Sequence, residues 1–178
     1  MCLASRRPAA RWQSGRRHAR VSVAFSSAMK LLDRKQLFEA GPPLFQISVD
    51  VRFQDIDAAG IVFFARIFDY AHFAYERFLA EVGFPLPVVL RDGQFAAPLR
   101  HAEADYRAPI RYGDELRVEL VLALVTDSEI TLGFRVVRGD GKVCAAVQTV
   151  HTFVSPTDFQ RRAVPRGIVE ALQPIILF

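Results

Sequence analysis

The stretch Val51–Gly83, VRFQDIDAAGIVFFARIFDYAHFAYERFLAEVG, joins an alternating segment to a long amphipathic one through a loop carrying two carboxylates. In its second half, apolar residues recur at Phe64, Ile67, Phe68, Ala71, Tyr75, Phe78, Leu79 and Val82. Arg66, Asp69, Glu76, Arg77 and Glu81 fall between them. That is helical period, and Gly83 then Pro85 stop it. About 20 residues at 1.5 Å each make a rod of roughly 30 Å. Just upstream, Ile47, Val49, Val51 and Phe53 alternate with Gln46, Ser48, Asp50 and Arg52, the period of a half-buried strand. Between the two, Asp55 to Gly60 must reverse the chain, and Gly60 suits a position of positive φ.

Three chemistries compete for the loop. Asp55, Asp57 and Gly60 have the spacing of the start of a calcium loop, but the fifth position is Ala59 and the twelfth is Arg66, where a bidentate Glu is needed. The aspartates are also placed to cap the helix, satisfying its first free N–H groups. In the third reading, one carboxylate attacks a carbonyl, or activates water to do so, while the helix's first amides hold the developing oxyanion. An Asp is ionised at neutral pH and available for either role. Asp55 is the more structural of the pair.

The motif F-x-D-x-D-A-A-G-I-V-F-F-A at Phe53–Ala65, followed by a long helix, resembles the active-site segment of hotdog-fold acyl-CoA thioesterases of the 4-hydroxybenzoyl-CoA thioesterase type. Further on, H-F-A-Y-E at His72–Glu76 is similar to the H-E-A-Y-E helix of 1,4-dihydroxy-2-naphthoyl-CoA hydrolases, with Phe73 departing from the pattern. The resemblance covers roughly residues 45 to 155. It implies that Asp57 is the catalytic carboxylate and that the Phe64 backbone N–H is the oxyanion donor, at a position where some relatives carry Tyr or His. It also implies an acyl site drawn from Gly60, Val62, Phe63, Phe68, His72, Phe73 and Glu76, and an aromatic acyl-CoA as substrate. Coenzyme A is then part of the substrate and no cofactor is required. Arg100, Arg107 and Arg111 are candidates for its phosphates. Short- or medium-chain aliphatic thioesters, or acyl-CoA binding without catalysis, are the alternatives. A hydratase on this fold needs a D-x-N-P-x-H loop, and here the residue five after Asp57 is Val62.

Spacing alone leaves several of these residues open. Asp69, His72 and Glu76 share a helix face, which a solvated surface also explains. Phe63, Phe64, Phe68 and Phe73 are equally compatible with a core stripe.

Downstream, Gly83 to Gly93 reads as a surface connection, and Phe95 to Arg107 as a strand bent near Pro98. Leu116, Val118, Leu120, Leu122 and Leu124 alternate with Glu115, Arg117, Glu119, Val121 and Ala123. Ile130 to Val136 do likewise, and Lys142 to Val154 form a last strand apolar on both faces. Thr126-Asp127-Ser128 and Gly139-Asp140-Gly141 favour antiparallel hairpins. The expected fold is α+β, an antiparallel β-sheet wrapped around one long central α-helix. The tail Pro165–Leu172 is expected to form one or two helical turns. One helix leaves part of the sheet uncovered, and the resemblance implies a homodimer or homotetramer.

The chain has 178 residues, 51% hydrophobic and 24% charged, as expected of one globular domain. Its net charge of +4 is uneven, because residues 1–32 hold seven basic residues and no acidic one. The remainder is slightly acidic and offers no electrostatic footprint for nucleic acid. No apolar run reaches the ~18 residues of a membrane span. Residues 1–40 are expected to be a basic, poorly packed extension or an organelle presequence, and 41–178 the domain. A cytoplasmic location is expected, or a mitochondrial or plastid one if residues 1–28 are a presequence. Cys2 and Cys144 are too few and too separated for a structural disulfide, and the four histidines show no zinc spacing.

Overall fold

The alternating segments of the second half of the chain pair into one antiparallel sheet. The computed structural model describes residues 29–177; the expectation of a presequence falls on residues 1–28, outside them. The strands are β1 (Phe45–Asp50), β2 (Leu99–Tyr106), β3 (Glu115–Val125), β4 (Glu129–Arg138) and β5 (Val143–Thr152), in the spatial order β1-β3-β4-β5-β2. Every neighbouring pair is antiparallel. The central helix α2 (Arg66–Glu81) buries Ile67, Ala71, Ala74, Tyr75, Phe78 and Leu79 against Leu116, Val118, Leu120, Leu132, Phe134 and Val147 of the sheet. This is the expected α+β hotdog arrangement. Among the described residues no helix is long and apolar enough to cross a membrane.

Four expectations change. The alternation through Phe53 does not continue as strand: β1 stops at Asp50, a 3₁₀ turn occupies Phe53–Asp55, and Phe53 is exposed. The segment expected to be a plain connection forms a helix, Leu86–Asp92. Pro87 suits its first turn, Gly93 at φ 59° closes it, and Val89 anchors it in the core.

The third change concerns β3. Its register against β4 shifts between Leu120 and Leu122, so one extra residue is inserted there. Because side chains alternate with period two, a bulge reverses the facing of everything beyond it. Ala123 and Val125 therefore join the core beneath α2, while Leu122 and Leu124, expected with Leu116, pack on the other face.

The fourth change concerns residues 30–41, expected to be poorly packed. They form a strap, including the short helix Arg34–Glu39, across the sheet face opposite α2. Leu32, Leu37 and Phe38 are buried there beside Ala146, Leu122 and Leu124. Outward-facing polar side chains pin the strap's backbone. Gln148 accepts from the Leu32 N–H (2.8 Å) and donates to the Leu32 carbonyl (3.0 Å). The Thr131 hydroxyl donates to the Lys30 carbonyl (2.8 Å), and Arg135 donates to the carbonyls of Ala40 and Gly41 (2.7 and 3.1 Å). Gly133 leaves room for it, since a Cβ there would meet Leu37 and lie 2.7 Å from Leu32 Cδ1. This cover is the reason β5 is apolar on both faces. The C-terminal helix Arg166–Leu172 fills the place expected of it.

Candidate active site

The loop between β1 and α2 is built on Asp55. Its carboxylate accepts from the Arg52 N–H (3.0 Å) and the Tyr70 hydroxyl (2.9 Å), with Arg66 Nε at 3.6 Å, and its carbonyl accepts from the Phe63 N–H (2.8 Å). Asp55 is buried, and it draws the start of α2 back to the end of β1. The Tyr70 phenol is pushed well above its ordinary pKa, first by burial and then by donating to Asp55. Neither aspartate caps α2, whose N-terminus has no side-chain cap. Asp55 instead closes the 3₁₀ turn onto Arg52.

Asp57 begins a tight reversal. Its N–H donates to the Ile61 carbonyl (2.9 Å), its carbonyl accepts from Gly60 (3.0 Å), and Ile56 bridges Val62 across the turn. Gly60 at φ 74° supplies the left-handed residue the turn needs. Only one carboxylate oxygen of Asp57 is engaged, Oδ1, which accepts from the Ala59 N–H (2.8 Å). Oδ2 has no partner among the described residues. Val62 donates to the Ile110 carbonyl (2.8 Å) and so fixes the loop against the segment after β2.

A cleft of about 450 Å³ opens at this junction. Asp57, Ile61, Val62, Phe63 and Phe64 line one side, Ile67 its floor, and Tyr106 to Ile110 the other side. Its wall is mainly apolar, and Asp57 and Arg107 are its two charged residues. The Tyr106 hydroxyl donates to the Phe64 carbonyl (2.8 Å), tying β2 to the approach to α2. The backbone N–H groups of Phe64 and Ala65 have no acceptor among the described residues, while Arg66, Ile67 and Phe68 donate back to Phe63, Phe64 and Ala65. A carboxylate oxygen of Asp57 and the unengaged amide of Phe64 thus belong to residues lining one cleft, with the Ala65 amide next along the uncapped helix start.

The expected site residues divide. Asp57, Val62, Phe63, Phe64 and Arg107 line the cleft; Gly60 shapes the turn without lining it. Phe68 packs on the edge of the core. His72 and Glu76 pair with each other on an exposed face of α2 (3.5 Å). Phe73 borders a separate depression beside Asp55, Asp69 and Tyr70. Arg111 lies outside the cleft, its N–H donating to Asp114 (2.8 Å). Arg100 is corrected as a phosphate contact: its guanidinium is turned inward onto buried Glu129 (2.6 Å), a carboxylate that Arg161 also reaches. Tyr106 was not anticipated, because nothing in Y-R-A-P-I marks a residue that meets the chain 42 positions earlier.

Comparison with known proteins assigns the family. Residues 51–172 match the model of the thioesterase-like superfamily. The chain belongs to that superfamily, and it is a thioester hydrolase. A Synechococcus elongatus protein named 1,4-dihydroxy-2-naphthoyl-CoA hydrolase is 33% identical over 130 residues, covering 72% of this chain and 95% of the relative. A protein of the same name from Trichodesmium erythraeum is 37% identical over 114 residues, 63% of this chain and 83% of the relative. Among solved structures, a 1,4-dihydroxy-2-naphthoyl-CoA thioesterase from Synechocystis superposes with a TM-score of 0.68 at 27% identity, covering 72% of this chain and 95% of the other. The strap at 30–41 and β1 precede the matched span.

Proposed function

We propose that this hydrolase cleaves an acyl-CoA, preferentially one with an aromatic hydroxybenzoyl- or dihydroxynaphthoyl-like acyl group, to the free acid and coenzyme A. Asp57 acts as nucleophile or general base, and the Phe64 N–H, with Ala65 beside it, receives the oxyanion. The observation that carries this reading is the open Oδ2 of Asp57 in a cleft shared with an uncapped helix start. A thioester carbonyl is electrophilic and its thiolate leaves readily, so a carboxylate and one oxyanion donor form a sufficient minimum. The apolar wall made by Val62, Phe63, Phe64 and Ile67 suits a flat aromatic ring. The names of the curated relatives support the same acyl class.

The site is completed by a second copy of the chain. Phe63, Phe64 and Tyr106 are exposed around the cleft, and the β2 edge is left without a neighbouring strand. His72, Phe73 and Glu76 do not line their own chain's cleft and serve the acyl group only from a partner protomer, in a homodimer or homotetramer. The test is thiol release from benzoyl-, dihydroxynaphthoyl- and straight-chain acyl-CoA by the wild type and by Asp57→Asn. Turnover highest with the bicyclic aromatic substrate and lost in Asp57→Asn is the expected result. Equal turnover of all three thioesters removes the aromatic preference, and an active Asp57→Asn removes Asp57. A monomer by light scattering removes the shared site.

A further inference from the structure

We infer that the strap at 30–41, which precedes the span matched by the superfamily, is a positioning element of the substrate site: Phe38 holds the Arg107 guanidinium at the rim of the Asp57 cleft, ready for the diphosphate of the thioester substrate. This rests on the acyl-CoA reading above and adds to it a role for residues outside the shared fold.

The geometry begins with β2, where Glu103 and Asp105 face the strap and Arg107 follows on the same side. Gln148, which holds Leu32, also donates to Glu103 (2.6 Å), and Arg34 Nε lies 3.0 Å from Asp105 Oδ1. Phe38 is buried beneath Arg107, whose Cζ sits 3.4 Å from the ring centroid. A guanidinium flat on an aromatic face keeps its N–H donors pointing outward in its own plane. No acceptor among the described residues takes a hydrogen bond from the Arg107 side chain. Asp105, two residues before it on β2, is paired with Arg34. Arg107 is therefore stacked, exposed and uncommitted, and it is the cation of the cleft. Arg100 provides the contrast, since Glu129 claims it. A planar fork of unpaired donors at the mouth of an otherwise apolar cleft fits a phosphate group. Held on a ring, it loses less side-chain freedom when the phosphate arrives.

The experiment compares benzoyl-CoA with benzoyl-N-acetylcysteamine, which presents the same thioester without phosphates. The readout is the ratio of kcat/KM for the first to that for the second. Arg107→Met is expected to lower the ratio about tenfold, with the loss in KM. Phe38→Leu keeps an apolar group on the sheet but removes the ring, and is expected to lower the ratio about three- to fivefold. Phe38→Tyr restores it, and Phe38→Leu adds nothing in the Arg107→Met background, because both act through one guanidinium. A Phe38→Leu protein that loses activity equally on both thioesters overturns the inference, as does an unchanged ratio in Arg107→Met. Binding of free CoA against pantetheine by calorimetry separates the two readings. Retained CoA discrimination in a wild type that hydrolyses neither thioester overturns the proposed reaction and leaves the strap's role standing. A wild type that hydrolyses both thioesters yet binds CoA no better than pantetheine overturns the strap's role.

Discussion

The start of α2 and its middle lie about two turns apart on one helix and treat polar groups in opposite ways. In the middle, the Tyr70 hydroxyl and the His151 ring packed on the helix both have partners. The Tyr70 hydroxyl donates to Asp55, and His151 stacks on Tyr75 with ring centroids 4.4 Å apart. The His151 ring is held by the Ala97 carbonyl, which accepts from Nδ1, and by the Thr149 hydroxyl near Nε2, both at 3.2 Å. At the start, the Phe64 and Ala65 amides and one oxygen of Asp57 have no acceptor or donor among the described residues. An unmet hydrogen-bonding group costs little beside solvent and much in the core. Among the described residues, the one buried side-chain polar atom without a hydrogen bond is Arg66 Nε, which faces Asp55 at 3.6 Å, whereas the open groups of Asp57 and Phe64 belong to residues of the cleft, where a substrate can meet them.

The largest effect expected from breaking this contrast is at Asp57. Asp57→Asn keeps the turn, since an amide oxygen still accepts from Ala59, but removes the charge. Turnover is expected to fall about 10²–10⁴-fold with an unchanged melting temperature, read by thiol release and calorimetry on one sample. A drop in melting temperature of several degrees would show that Asp57 is a structural residue like Asp55.

Acid challenges the satisfied side next. Burial pushes the His151 pKa down to about 4 from an ordinary 6.5. The folded protein keeps this ring neutral while the unfolded chain protonates it. Its contribution is complete above about pH 6.5 and is lost as pH falls towards 4, by up to about 3 kcal/mol. Denaturant midpoints of wild type and His151→Gln across that range check the sign, the variant showing the shallower loss.

Asp55→Ala removes two accepted hydrogen bonds and the ion pair with Arg66 at once, and leaves the Tyr70 hydroxyl buried without a partner. About 2–3 kcal/mol of stability is expected to go, with activity reduced because the Phe64 amide is no longer fixed. Tyr70→Phe, which deletes one donor, is the smallest change, about 1 kcal/mol. If Tyr70→Phe costs as much as Asp55→Ala, the network is organised by the tyrosine and not by the carboxylate.

Much of this was legible in the chain, and the gaps have physical causes. The 3.6 period located α2 to within two residues at its start, and the hairpin turns located β3, β4 and β5, because those signals are local. The D-x-D loop was legible as a carboxylate-bearing turn ahead of the helix, although the reading of its aspartates as caps of α2 does not survive. The strap was not legible. Its basic, acid-free leader suggested an extension, and residues 30–41 become ordered through partners such as Gln148, 116 positions away from Leu32. The bulge in β3 escaped for a related reason: L-V-L-A-L reads as unbroken alternation until the strap and α2 both demand apolar side chains from it.

The order of amino acids by itself determined the central helix, the β3–β4–β5 hairpins and the carboxylate loop at the helix start, since each depends on residues within a turn or a hairpin of one another. Only the tertiary structure decided which aspartate is buried, that Arg100 is paired inward while Arg107 stacks on the strap's Phe38, and that Tyr106 borders the cleft. Those outcomes depend on which distant groups reach each other first. A partner 42 or 116 residues away leaves no period in the sequence.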